Sequence, residues 1–281
     1  MKILVAVLIG LVTAMGAEPV PVALRVATWN LQWFPGGRNG ATKEEQDKQI
    51  VQVRKEIGKL NPDILLLQEV GSAAALEETL KPLGPEWKVA IVSQFKEGGF
   101  ISGQQVAIAA RMPAEAVWAE AWEKGWAGAP RGYAYASFLI GDKRIAVYCI
   151  HLKSNLGNPP ANTSKREDAT EQLMAHVKTG RERVPTPAAI IIGGDFNTDD
   201  PDTPAGQSPG ERTFGMLRKA GFKWSFDGVA HADRITCPGK GRYPDACFDQ
   251  LFTRGLGNPI ASVVVAKGSD HRPVVMEVLA R

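Results

Sequence analysis

Pro62-Asp63-Ile64-Leu65-Leu66-Leu67-Gln68-Glu69 is the stretch that decides the fold class of this chain. Four consecutive apolar residues leave no polar face, so the segment is predicted to be a central strand covered on both sides. It is too short for a typical buried helix, and it ends on a carboxylate. Upstream, Thr42 with Glu45 three residues later forms a predicted capping box. Ile50, Val53, Ile57 and Leu60 then recur at steps of three and four, the apolar stripe of a helix that Asn61-Pro62 should end. Before that helix, Val22 to Trp29 reads as another strand, closed by Asn30.

Downstream the same grammar repeats. Trp87 to Phe95 and Gln105 to Arg111 are predicted strands, separated by the Gly-rich loop Glu97 to Gly103. Tyr133 to Ile140 and Arg144 to Ile150 should form a hairpin around Gly141-Asp142. Ser164 with Glu167 suggests a second capping box, opening a helix to about Thr179. Ala188 to Ile192 is a further buried strand and Thr213 to Ala220 a short helix. Phe248 to Thr253, Ser262 to Ala266 and Val274 to Leu279 complete a strand-rich C-terminal half. Two packed sheets flanked by helices, an α+β arrangement, accommodate this order better than one doubly wound parallel sheet.

Polar residues collect where the apolar strands stop. Asn30, Glu69, His151, Asp195 with Asn197, and Asp270-His271 each follow such a run. One Asp or Asn there is the ordinary companion of a turn. Five recurrences in one chain point instead to a rim that gathers carboxylates, amides and imidazoles.

With Ala27-Thr28-Trp29-Asn30-Leu31, Pro62 to Glu69, Ile150-His151-Leu152-Lys153-Ser154, Gly193-Gly194-Asp195-Phe196-Asn197, Phe248-Asp249-Gln250-Leu251-Phe252 and Ser269-Asp270-His271 in this order, the chain resembles the endonuclease/exonuclease/phosphatase superfamily. The resemblance runs from about Val22 to the C-terminus and rests on the ordered set, since no motif alone would carry it. It implies a four-layer α/β/β/α sandwich of two packed mixed sheets flanked by helices. It also implies divalent-metal-dependent phosphodiester hydrolysis. That chemistry builds charge on non-bridging and leaving oxygens, so it calls for a hard cation and fixed donors.

By the same resemblance Asn30, Glu69 and Asp270 hold the metal. Oxygen donors suit Mg²⁺ or Mn²⁺, with Ca²⁺ as a further candidate. Asp195 and Asn197 orient the attacking water and the phosphate, and His151 donates to a phosphate oxygen or the leaving group. His271 pairs with Asp249, which would set its tautomer. Either Asp195 or His271 takes the water's proton. Arg131 and Lys153 are the candidate phosphate-binding cations. Nucleic acid is the expected substrate by analogy, which makes the protein an expected nuclease. A phosphatase or phospholipase C-type hydrolase on the same scaffold is the alternative. A non-catalytic phosphate-binding protein is a third reading. The motifs of calcineurin-like phosphoesterases and of zinc hydrolases built on His-x-His-x-Asp-His are absent.

Composition sets the remaining expectations. The chain has 281 residues, 44% hydrophobic and 22% charged, with a formal charge of +3. Lys2, the apolar run Ile3 to Val12 and the small residues Ala14 and Gly16 read as a secretory signal peptide over residues 1–16. The run spans only about half of a ~30 Å hydrocarbon core, which argues against a transmembrane anchor. Residues 17–281 are then a single domain, secreted or periplasmic, expected to be a monomer with no stable membrane association and no protein partner. Cys237 and Cys247 bracket a loop rich in Pro and Gly, where a disulfide is expected to contribute roughly 2–3 kcal/mol. Cys149 is expected in the core. Asp199, Asp200 and Asp202 read as a solvated acidic turn, and His176 and His231 as surface residues. Trp118, Trp122 and Trp126 read as packing or rim residues.

Overall fold

The computed structural model describes residues 22–123, 131–180, 184–200 and 210–280. The predicted export segment, Trp126 and Asp202 lie outside the described residues. In chain order the first half comprises β1 (Val22–Phe34), α1 (Lys43–Leu60), β2 (Ile64–Val70), α2 (Ala73–Leu80) and β3 (Lys88–Val92). Then come β4 (Lys96–Glu97), β5 (Phe100–Ile101), β6 (Gln105–Ala110), β7 (Ala116–Ala121), β8 (Gly132–Ile140) and β9 (Lys143–His151). The second half holds α3 (Pro159–Thr179), β10 (Ala189–Asp195), α4 (Thr213–Lys219) and β11 (Lys223–Trp224). It closes with β12 (Asp249–Arg254), β13 (Ile260–Val263) and β14 (Val274–Ala280).

Two six-stranded sheets result, in the orders β13-β14-β1-β2-β6-β3 and β11-β12-β10-β9-β8-β7. Each contains one parallel pair, β1 with β2 and β9 with β10, among antiparallel neighbours, so both are mixed as expected. The strand Ile64–Val70 shows why its sequence has no polar face. Leu65 and Leu67 pack with Ile50, Val53 and Ile57 of α1 and Leu76 of α2. Ile64 and Leu66 point the other way, into a core shared with Val147, Ile191 and Leu251 of the second sheet. Leu173 and Val177 of α3 and Phe214 and Leu217 of α4 belong to that larger core, covering the outer face of the second sheet. The layers are therefore helix, sheet, sheet, helix.

The Thr42 capping box forms as predicted, and Asn61 ends α1 in the left-handed region. Gly141, at φ 63°, makes the β8–β9 turn. The second predicted capping box does not form. Asn158 caps α3 instead, its side chain accepting the Ala161 N–H at 3.2 Å. Pro159 and Pro160 fill the first turn, where a missing N–H is harmless and φ is already helical. Ser164 consequently lies inside the helix.

The predicted disulfide is also absent, and all three cysteines are free thiols. Cys237 pairs with Ala246 across a short antiparallel bridge. Neighbours along an extended strand face opposite sides, so Cys247 points away from the face that Cys237 occupies. Cys247 is buried near Gln250, whereas Cys237 sits beside His271. Cys149 is buried as expected and hydrogen-bonded to Gln68, and burial pushes its thiol up to about 12. Among the described residues no helix is long and apolar enough to cross a membrane.

Candidate active site

Strand register assembles half of the site. Asp195, the last residue of β10, stands opposite His151 on β9 and opposite Asp249 on β12. Three polar residues thus form one row across adjacent strand ends of the second sheet. In the first sheet Asn30 lies beside Gln68, and Glu69 follows at a register shift in β2. A bulge of this kind re-aims the side chain at the kink. Glu69 has φ 60° and Asn197 φ 51°, both in the left-handed region that side chains seldom adopt. Such outliers mark places where the surroundings over-determine the backbone, and functional sites are where they gather.

The two sheets meet directly beneath this row. A Cβ added to Gly193 would fall 2.5 Å from Leu251 Cδ2 and 2.6 Å from Leu66 Cδ1, the latter on the opposite sheet. At Gly194 it would fall 1.9 Å from the Ile150 carbonyl oxygen. The paired glycines before Asp195 therefore let β10 approach both its neighbour strand and the facing sheet.

Hydrogen bonds then lock the side chains. Asn30 Nδ2 donates to Asp195 Oδ2 at 2.9 Å and to Glu69 Oε1 at 3.2 Å. Asn30 Oδ1 accepts the Gln32 N–H at 2.9 Å, and Glu69 Oε2 accepts the Trp33 N–H at 2.9 Å. Asp195 Oδ1 accepts the Asn197 N–H at 2.8 Å, and His151 Nε2 lies 3.3 Å from Asp195 Oδ2. The Asn197 amide donates to the Leu152 carbonyl. His271 Nδ1 is 2.7 Å from Asp249 Oδ2. Ser269 Oγ donates to the Asn30 carbonyl at 2.7 Å and accepts the His271 N–H at 3.0 Å, which ties the C-terminal loop to β1.

Electrostatics follow from burial and these partners. Burial opposes the Asp195 carboxylate, but the His151 hydrogen bond, His271 and Asn30 together hold it below its usual range. Burial, reinforced by the Arg131 guanidinium, lowers His151 and favours its neutral form. Burial also disfavours a charged His271, yet the Asp249 carboxylate outweighs it and raises the imidazole well above its usual value.

The predicted residues converge unequally. Asn30, Glu69, His151, Asp195 and Asn197 form one bonded cluster. Ligand atoms of Asp195, Asp249 and His271 lie within 4.8 Å of one another. Asp270 stands apart: it is exposed and bonds only to Ser269 among the described residues. Arg131 lies behind His151, donating to the Leu152 carbonyl at 2.5 Å and to Gln104 at 3.0 Å. Lys153 shares a small cleft with both.

The donor set fits a hard divalent cation. Glu69 receives only N–H donors and has no Lys or Arg partner among the described residues. Asp249 Oδ1 is buried with no hydrogen-bond partner. Carboxylate oxygens left this way are what such an ion takes.

The acidic turn expectation fails. Asp199 is 1% exposed and Asp200 7%. Asp199 pairs with Arg234 at 2.6 Å and His231 at 3.0 Å, and Asp200 with Arg218 at 3.1 Å. These partners come from segments at least eighteen residues away, so spacing gave no hint of them. His176 is likewise half-buried, with Nδ1 3.1 Å from Tyr148 Oη. Trp118 stacks on Tyr135 with ring centroids 3.7 Å apart, a packing role as predicted. Sequence reasoning missed Cys237, which interacts with His271. It also missed Ser269, although that residue sits inside the Ser-Asp-His motif.

Comparison with known proteins adds the following. The family model described as Endonuclease/Exonuclease/phosphatase family matches residues 27–271. TDP2 from Caenorhabditis elegans superposes with a TM-score of 0.66 at 18% identity, covering 92% of this chain and 75% of that one. A beta toxin from Staphylococcus aureus gives 0.68 at 16% identity, covering 90% and 99%. An endonuclease/exonuclease/phosphatase family protein from Bacteroides thetaiotaomicron gives 0.66 at 17% identity, covering 93% and 99%. No curated protein matches the sequence.

Proposed function

The chain belongs to the endonuclease/exonuclease/phosphatase family, and from that premise we propose that it is an exported, divalent-metal-dependent nuclease. Members of this superfamily are hydrolases, generally metal-dependent. The observation that carries the catalytic reading is the Asn30–Glu69–Asp195 bridge together with the Asp195–Asp249–His271 cluster. No position of the catalytic set is lost, as a scaffold kept only for binding would allow.

Glu69 would hold Mg²⁺ or Mn²⁺, with Asn30 fixing its carboxylate through Nδ2 and Asp270, on the loop that Ser269 ties to Asn30, as a further oxygen donor. The bound ion supplies Lewis-acid stabilisation of phosphate oxygens. The chain's own residues do the rest. Asp195 is held ionised by three donors and is placed to orient water and accept its proton. Asn197, fixed by Leu152 and Asp195, offers an amide to the phosphate. His271 keeps Nδ1 on Asp249, which leaves Nε2 for a substrate oxygen. His151, neutral and buried, covers the other side of Asp195.

Nucleic acid is favoured because Arg131 and Lys153 lie next to this cluster, where a phosphate backbone would run. A lipid-directed phospholipase C-type reading has one observation of its own. Phe100 and Ile101, on the β4–β5 hairpin, are 81% and 55% exposed. Export is supported by the basic start and apolar core of residues 1–16.

The test is incubation of the purified protein with supercoiled plasmid, with and without Mg²⁺, Mn²⁺ or Ca²⁺. EDTA-sensitive nicking is expected, and Asp195→Asn should slow it by about 10³-fold or more. Intact plasmid under every metal, with cleavage of a phosphocholine lipid instead, would transfer the assignment to the lipid branch. N-terminal sequencing of protein recovered from the medium or periplasm tests export, with cleavage after Gly16 expected.

A further inference from the structure

A shallow cleft opens beside His151, its enclosed space only about 20 Å³, so that an anion would sit at its mouth. Trp122, Arg131, His151, Lys153, Lys165 and Gln172 line it. No carboxylate is among its lining residues, and neither Arg131 nor Lys153 forms an ion pair among the described residues. By contrast Arg166, the next residue on α3, is neutralised by Glu211 at 2.6 Å, both side chains being essentially unexposed. Its Nη1 donates to the Lys153 carbonyl at 2.9 Å and fixes the backbone at the cleft.

The concentration of cations here has a cost. Burial lowers the Lys153 ammonium, and Arg131, Lys165 and Arg166 lower it further by repulsion, with Glu97 opposing them. Arg131 is itself lowered by burial, against the pull of Asp195, Glu69 and Glu97. Like charges gathered in a cleft with no carboxylate among its lining residues describe a site that is stabilised when an anion enters.

We propose that this cleft binds a second phosphate of the substrate, one linkage away from the phosphate that reacts, with Lys165 as a specificity-determining residue. The proposal rests on the nuclease reading above and deepens it. A lipid or other small phosphodiester carries a single reacting phosphate and would leave the cleft unused. A polynucleotide presents another phosphate at every nucleotide. The Trp122 ring at the cleft wall adds an aromatic face suited to an adjoining base, whatever its sequence.

The experiment uses tetrathymidylates whose central linkage is a phosphodiester, with each flanking linkage either a phosphodiester or an uncharged methylphosphonate. Products of central cleavage are quantified by mass spectrometry with Mg²⁺ or Mn²⁺ present. For the wild-type protein, neutralising one particular flank should lower kcat/KM about tenfold or more, the size of a lost charge-assisted contact. Lys165→Ala should cut that sensitivity severalfold, and Lys165→Arg should retain it. Wild-type protein indifferent to flanking charge would overturn the proposal while leaving the nuclease reading intact. So would a Lys165→Ala protein slowed by the same factor on every substrate. If bis(p-nitrophenyl) phosphate is hydrolysed but no oligonucleotide is, the nuclease reading itself fails, and the second-phosphate site with it.

Discussion

Asn30 Nδ2 lies 2.9 Å from Asp195 Oδ2, a buried hydrogen bond joining strands of different sheets across 165 residues of sequence. The same amide reaches Glu69 at 3.2 Å. An uncharged side chain thus spaces two carboxylates that would otherwise repel across the gap between the sheets. Its other atom, Oδ1, is engaged by the Gln32 N–H, so the amide orientation is set.

Asn30→Ala should therefore uncouple the two carboxylates without emptying the core. Misplacement of about 1 Å in a catalytic group can cost about 100-fold, and a fall in kcat of that order is expected. Steady-state kinetics at saturating metal checks it. Loss of activity restored fully by more metal would assign Asn30 to metal affinity alone.

Asp249→Asn should act through His271. The amide cannot support the imidazolium as the carboxylate does, and loss of such a partner typically costs about 10–100-fold. The fall should appear in kcat with little change in KM. A thermal melt within a few degrees of wild type would show that the loss is chemical rather than structural.

The three thiols give a simple readout. Because Cys237 and Cys247 occupy opposite faces of their bridge, protein prepared without reductant should titrate as three free thiols after denaturation. Reductant should leave Tm unchanged. A native disulfide would instead contribute about 2–4 kcal/mol, a visible drop on reduction.

Glu45 offers a pH test remote from the site. The Arg38 guanidinium beside it, then the Thr42 backbone and hydroxyl, hold its carboxyl down at about 2, against an ordinary value of 4.5. A carboxyl depressed on folding stabilises the protein above its unfolded value, and that stability is lost as pH falls toward the folded value. Wild type should thus melt above Glu45→Gln at pH 6, and the gap should narrow from about pH 4.5 downward. Melting curves of both proteins between pH 7 and 3 check this. A gap independent of pH would assign the effect to the neutral capping geometry.

Local patterns made β2 and α1 legible, whereas α2 and β7 were not anticipated and α3 begins at Pro159 rather than after Ser164. Four apolar residues between Asp63 and Gln68 can be buried only from both sides, and Ile50, Val53, Ile57 and Leu60 can bury one stripe only as a helix. Strand ends carrying Asn30, Glu69, His151 and Asp195 were legible for the same reason, because a polar residue halts burial wherever it falls. What the sequence could not express was who meets whom across distance. Arg234 neutralises Asp199, Ser269 ties the His271 loop to Asn30, and Lys165 lines one cleft with Arg131 and Lys153, each a meeting of residues on different elements. The Cys237–Cys247 pair fails for a related reason. Closeness in sequence permits a bridge, but the side of the strand each residue faces is set by the pairing of Cys237 with Ala246. Short-range periodicity is written in the chain, whereas charge pairing and facing are decided only when the two sheets close on one another.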